Sequence, residues 1–124
     1  TTGVAVPPQV SALVARVRAA IAPLPVRVHF HNTRNTGIAN VWAAVQAGAT
    51  IVDGSLGGLG GCPFAPSATG NAPTEDIVYM LERSGISTNH DLETMIETAG
   101  WLRGLLGRDL PGMVSRAGSF PKGA

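Results

Sequence analysis

Apolar residues at Leu13, Val14, Val17 and Ile21 recur at the three- and four-residue intervals of one helix face. That spacing predicts a helix over Ser11–Ala22, capped by Ser11 and ended by Pro23 and Pro25. The polar, Pro-broken stretch Thr1–Gln9 ahead of it reads as a loop. Val26–His31 is a short β-branched run and reads as a strand, followed by a polar loop, N-T-R-N-T-G. A second helix is predicted over Gly37–Gly48, with Thr36 as cap and Gly48 as stop. Thr50–Gly54 reads as the next strand, the end of an apolar run that suggests burial. Thr74 caps a third helix that Gly85 ends, and Glu75 and Asp76 in its first turn suit the helix dipole. A fourth helix opens at Asn89 or Asp91 and runs through Leu106, with Leu92, Met95, Ile96, Ala99, Leu102 and Leu106 as its apolar stripe. Leu110–Ala124, broken by Pro111, Gly112, Gly118 and Pro121, reads as a surface tail.

Strands separated by single helices imply βαβ crossovers and parallel pairing, hence an α/β fold. Two or three parallel strands neither close nor cover themselves, and a (β/α)8 barrel takes eight such units and roughly 250 residues. At 124 residues the chain reads as one partial domain, residues 1–124, with a tail from about residue 108. The expected architecture is the C-terminal portion, about three βα units, of a TIM barrel.

Composition narrows the function. A net charge of +1 without any run of Lys or Arg argues against nucleic acid or a membrane surface as partner. A single cysteine, Cys62, rules out an internal disulfide framework and a cysteine-built zinc site within one chain. No apolar run approaches the ~20 residues of a membrane span, and the first ten residues lack the charged-then-apolar pattern of a secretion signal.

Between Gly54 and Asn71 lies G-S-L-G-G-L-G-G-C-P-F-A-P-S-A-T-G-N, a glycine-loosened loop directly after a strand. Cys62 in that loop reads as an exposed, reactive thiol, an acid–base group or a nucleophile, although a cysteine is commonly a small apolar filler. Alternation along a strand puts His29 and His31 on one face with Phe30 opposite. Two imidazoles so placed make half of a metal site, or an ordinary pair of strand histidines. The strand's C-terminal end, where α/β barrels keep their sites, favours the metal. Asn71, just before a helix, can add a carboxamide oxygen to an N/N/O set suited to Mg²⁺ or Mn²⁺; alone it is a common turn residue. His90 and Arg34 read as solvated, and Asp53 as a strand-end residue with either a structural or a site role.

With H-F-H-N-T, then G-A-T-I-V-D-G-S-L-G-G-L-G-G-C-P-F-A, then T-G-N-A-P-T-E-D-I-V-Y-M-L-E, the chain resembles the 3-hydroxy-3-methylglutaryl-CoA lyase family from Thr1 to about Leu106. The resemblance implies a divalent-metal lyase on an α/β barrel, with His29, His31 and Asn71 as metal ligands and Cys62 in acid–base catalysis. The reaction it implies splits 3-hydroxy-3-methylglutaryl-CoA into acetoacetate and acetyl-CoA. The family's Asp-Arg-Glu segment of the first strand has no counterpart here, and the sequence begins at the T-T-G that follows the Asp of the fifth-strand loop. Where many members have Asp after the second histidine, this chain has Asn32. The resemblance therefore covers a C-terminal part, which by itself is expected to be inactive. Related readings are a lyase for a longer 3-hydroxy-acyl-CoA and a non-catalytic, self-associating half-barrel. Claisen-condensing synthases of the same superfamily resemble the chain less, because their loop carries Glu-Arg in place of Gly61-Cys62. An acyl-CoA substrate, a homodimer and a cytoplasmic setting (the mitochondrial matrix in a eukaryote) complete the expectations from resemblance.

Overall fold

The computed structural model describes residues 2–61 and 70–119. Its elements run α1 (Pro7–Ile21), β1 (Arg27–His29), α2 (Gly37–Gln46), β2 (Ile51–Asp53), a 3-10 turn at Leu56–Gly58, α3 (Thr74–Arg83), α4 (Leu92–Leu106) and α5 (Val114–Ala117). β1 and β2 form a two-stranded parallel sheet in which His29 lies opposite Asp53. The predicted α/β order and parallel pairing are both observed, with two strands among the described residues.

Helix α1 starts earlier than its apolar spacing predicts. Pro7 opens it because a first-turn residue needs no N–H partner, and the Gln9 side chain accepts the Val6 N–H at 3.3 Å. Ser11 thus lies inside the helix, not at its cap. Val10 and Val14 pack with Val26, Ala43, Ala44 and Ala49 to form one apolar cluster between α1 and α2. A second cluster joins Val41, Ala72, Ile77 and Leu81, and Phe30 borders both. Val28 and Phe30 therefore point toward the helices, which leaves His29 for the opposite, uncovered face of the sheet.

The strands are shorter than their β-branched runs, and β2 is half-buried rather than buried, because it is an edge of a two-stranded sheet. Thr36 does not cap α2 with its side chain; its hydroxyl donates to the Ala5 carbonyl, and Asn32 Oδ1 accepts the Gly37 N–H at 2.9 Å instead. Thr74 is the first residue of α3, with Pro73 in the cap position. Asp91 does cap α4, accepting from the N–H groups of Glu93 and Thr94. Within the α4 stripe only Ala99 is buried, and Trp101 and Leu105 project outward at 64% and 68% exposure.

Within its described residues, 110–119, the C-terminal stretch is not a surface tail. Leu110 is buried against Gly57, and Met113 and Val114 donate their N–H groups to the Asp76 carboxylate. Long-range bonds of this kind leave no periodic trace in a sequence. Glu75 and Asp76 accordingly do more than answer the helix dipole: both are buried and hold distant backbone.

Candidate metal centre

Past β1 the chain continues to His31, which pairs with Asn71 as an isolated antiparallel bridge. The flanking bonds run from Asn32 N–H to the Gly70 carbonyl at 3.2 Å and from Ala72 N–H to the Phe30 carbonyl at 3.0 Å. The strand leaves β2 at this point because the segment returning from the glycine loop takes up its backbone groups. Asn71 thereby comes to lie beside the second histidine.

The His29 and His31 rings stand edge to face with centroids 5.3 Å apart. His31 is 6% exposed, and its Nδ1 has no hydrogen-bond partner among the described residues. Burial, followed by the charge of His29, pushes the His31 pKa below its ordinary value, which favours the neutral imidazole with a free lone pair. A buried nitrogen without a partner costs stability, and a bound cation would satisfy it.

Asn71 donates from Nδ2 to the Leu59 carbonyl at 2.8 Å, so the oxygen Oδ1 is the end of the carboxamide left to offer. Two imidazole nitrogens and one amide oxygen suit a divalent cation held by mixed N/O donors. Among the described residues no cluster of three or more His, Cys, Asp or Glu forms a metal site. The polar side chain that the bridge brings beside His31 is the neutral Asn71.

Cys62 lies outside the described residues. Asp53, opposite His29, makes a half-exposed ion pair with Arg27 at 3.7 Å, worth little in water. Arg34 donates to the Thr2 and Gly3 carbonyls, and His90 is exposed, so neither joins the histidines. Sequence reasoning missed Glu75, whose Oε2 accepts the Gly57 N–H at 3.0 Å beneath the turn that carries Leu59. Its one visible signal is a carboxylate four residues after the glycine loop ends at Asn71.

A cavity of about 520 Å³ flanks the free edge of β1, lined by Val10, Val28, His29, Phe30, His31 and Asn40 among others. A second, of about 560 Å³, flanks the free edge of β2. No helix among the described residues is long and apolar enough to cross a membrane.

Fold and site together define an α/β chain with a histidine pair at the end of a parallel strand. Residues 1–101 match the HMGL-like family model, and the chain belongs to the HMGL-like family. It is 49% identical over 118 residues to the (R)-citramalyl-CoA lyase of Chloroflexus aurantiacus, an alignment covering 95% of this chain and 37% of that protein. It is 48% identical over 111 residues to the hydroxymethylglutaryl-CoA lyase YngG of Bacillus subtilis, covering 90% of this chain and 37% of that one. A solved HMG-CoA lyase from A. baumannii, in complex with coenzyme A and 3-methylmalate, superposes with a TM-score of 0.93 at 48% identity. That match covers all of this chain and 41% of the other. The chain thus spans about two fifths of the length of these relatives.

Proposed function

We propose that this chain is the metal-binding C-terminal part of a (β/α)8-barrel lyase that splits a carbon–carbon bond in a 3-hydroxy-acyl-CoA. The observation that supports the reading is the backbone pairing of Asn71 with His31, whose ring stands against that of His29. The free edges of the two-stranded sheet, each flanked by a cavity, are where neighbouring barrel strands would pair.

His29 and His31 would present neutral nitrogens to Mg²⁺ or Mn²⁺, and Asn71 its Oδ1. Such a cation supplies Lewis acidity at a substrate hydroxyl and orients the substrate. His31, buried, would present its donor nitrogen out of bulk water. Removal of the hydroxyl proton lets the adjacent carbon–carbon bond break, its electrons passing into the enolate of the thioester fragment, which then takes up a proton. Cys62 is assigned to this acid–base work from its place in the sequence.

The favoured substrate is 3-hydroxy-3-methylglutaryl-CoA, cleaved to acetoacetate and acetyl-CoA, in keeping with the B. subtilis relative. The similarity to the C. aurantiacus enzyme makes citramalyl-CoA the second reading. The free edges are also the surfaces through which a chain of this length by itself would self-associate. The test uses the polypeptide as its gene expresses it, stripped with EDTA and then given Mg²⁺ or Mn²⁺. Metal-dependent release of acetyl-CoA from the first thioester supports the reading, and release from citramalyl-CoA alone moves the substrate to the second. It fails if neither thioester is cleaved and Mn²⁺ binding survives His29→Ala.

A further inference from the structure

Among the described residues Glu75 is the largest side chain with no exposed surface. Its two oxygens fare differently: Oε2 accepts the Gly57 N–H at 3.0 Å, while Oε1 is buried without a partner among the described residues. Keeping such a group enclosed costs stability, and an apolar residue of similar size would avoid the cost. Its retention points to a task beyond packing.

The backbone it grips is unusual. Gly57 has φ of +64°, a conformation that side chains with a Cβ resist, and a Cβ there would run into Leu110. The Gly57 carbonyl accepts the Gly112 N–H at 2.9 Å, and a Cβ on Gly112 would strike Glu75 Oε1. The turn Leu56–Gly58 is therefore held by Glu75 on one side and by the Leu110–Gly112 strap on another. Leu59 follows at once, bonded back to the Leu56 carbonyl, and its own carbonyl takes the Asn71 Nδ2–H at 2.8 Å.

We infer that Glu75 is a positioning residue for Asn71. By holding the Gly57 N–H it sets the Leu56–Leu59 turn, which places the Leu59 carbonyl that occupies the nitrogen end of the Asn71 carboxamide and leaves Oδ1 to face a ligand. The C-terminal strap locks that turn. The inference rests on the proposed ligand role of Asn71.

Two readouts on the polypeptide as its gene expresses it test this. One is hydrogen exchange of the Asn71 side-chain amide, followed by NMR without metal; the other is Mn²⁺ affinity from the free-ion electron spin resonance signal. Glu75→Ala is expected to speed the exchange and to weaken Mn²⁺ binding about tenfold or more, the usual scale for a lost outer-shell partner. Glu75→Gln, whose amide oxygen still accepts the Gly57 N–H, is expected to stay near the parent in both. Gly112→Ala displaces the carboxylate without removing it and carries the same test should Glu75→Ala fail to fold. In the Glu75→Ala, Asn71→Ala double variant, Mn²⁺ binding is expected to be no weaker than in Asn71→Ala alone. Additive losses, or Asn71 amide exchange unchanged in both Glu75→Ala and Gly112→Ala, would overturn the inference. Mn²⁺ affinity unchanged in Asn71→Ala sinks the ligand reading instead, and the metal-free exchange still decides whether Glu75 orients that side chain.

Discussion

His31 and Asn71 meet as backbone neighbours in an isolated antiparallel bridge, at the point where the strand carrying the histidines has parted from β2. The bridge brings Asn71 beside the second histidine, because the chain folds back after the glycine loop.

His31 is buried with a nitrogen that has no partner among the described residues. Removing that nitrogen relieves a cost in the metal-free protein. His31→Leu is expected to leave metal-free stability unchanged or raise it by up to about 1 kcal/mol, by urea unfolding. Mn²⁺ binding is expected to fall below detection in the same variant. A destabilised His31→Leu would mean that the imidazole is there for packing.

Asn32 accepts the N–H of the buried Gly37 at the start of α2, where no intrahelical acceptor is available to it. Asn32→Ala is expected to lower unfolding stability by about 1 kcal/mol. Asn32→Asp keeps an acceptor oxygen and is expected to match the parent. Equal losses in both variants would show that the side-chain amide matters for something other than this bond.

Asp76 holds the strap through the N–H groups of Met113 and Val114, at 3.1 and 2.7 Å. Hydrogen bonds to a charged acceptor are worth more than neutral ones, so Asp76→Ala is expected to cost about 2 kcal/mol. The released stretch between α4 and α5 should then be cut by trypsin at Arg108 faster than in the parent. Unchanged cleavage would mean that Leu110 alone anchors the strap.

Glu82 accepts from the Thr88 hydroxyl at 2.7 Å and the Thr88 N–H at 2.5 Å, and these two bonds hold its pKa below the ordinary glutamate value. A carboxylate depressed on folding stabilises the native state above its unfolded value, and the contribution disappears as pH falls through the lower folded value. The α3–α4 connection is therefore expected to loosen only below the ordinary glutamate range. A ¹³C titration of the Glu82 carboxyl checks this: Thr88→Ala, which removes the larger cause, should raise its midpoint, and an unmoved midpoint counts against the hydroxyl.

The parts legible in the sequence are those that local spacing encodes. Leu13, Val14, Val17 and Ile21 mark the body of α1, Gly48 and Gly85 stand just past α2 and α3 at φ of +101° and +79°, and Asp91 caps α4. The β–α–β order foretold parallel pairing, and alternation foretold that His29 faces away from the helix-packed Val28 and Phe30. The start of α1 was not legible, because Pro7 and Pro8 look like breakers unless they stand in a first turn. Nor was the anchoring of Leu110, since a stretch rich in glycine and proline has no apolar period to read.

By itself, then, the sequence determined the bodies of the four longer helices, the strand order and a pair of histidines on one sheet face, each signalled by spacing within a few residues. Tertiary structure decided what those histidines meet. The bridge to Asn71, the Leu59 carbonyl that holds its amide, and the Glu75–Gly57–Gly112 lock join segments far apart in the chain. Each rests on one or two directional hydrogen bonds that involve irregular backbone, selected by the demand that buried backbone and carboxylate groups find partners once the core has closed.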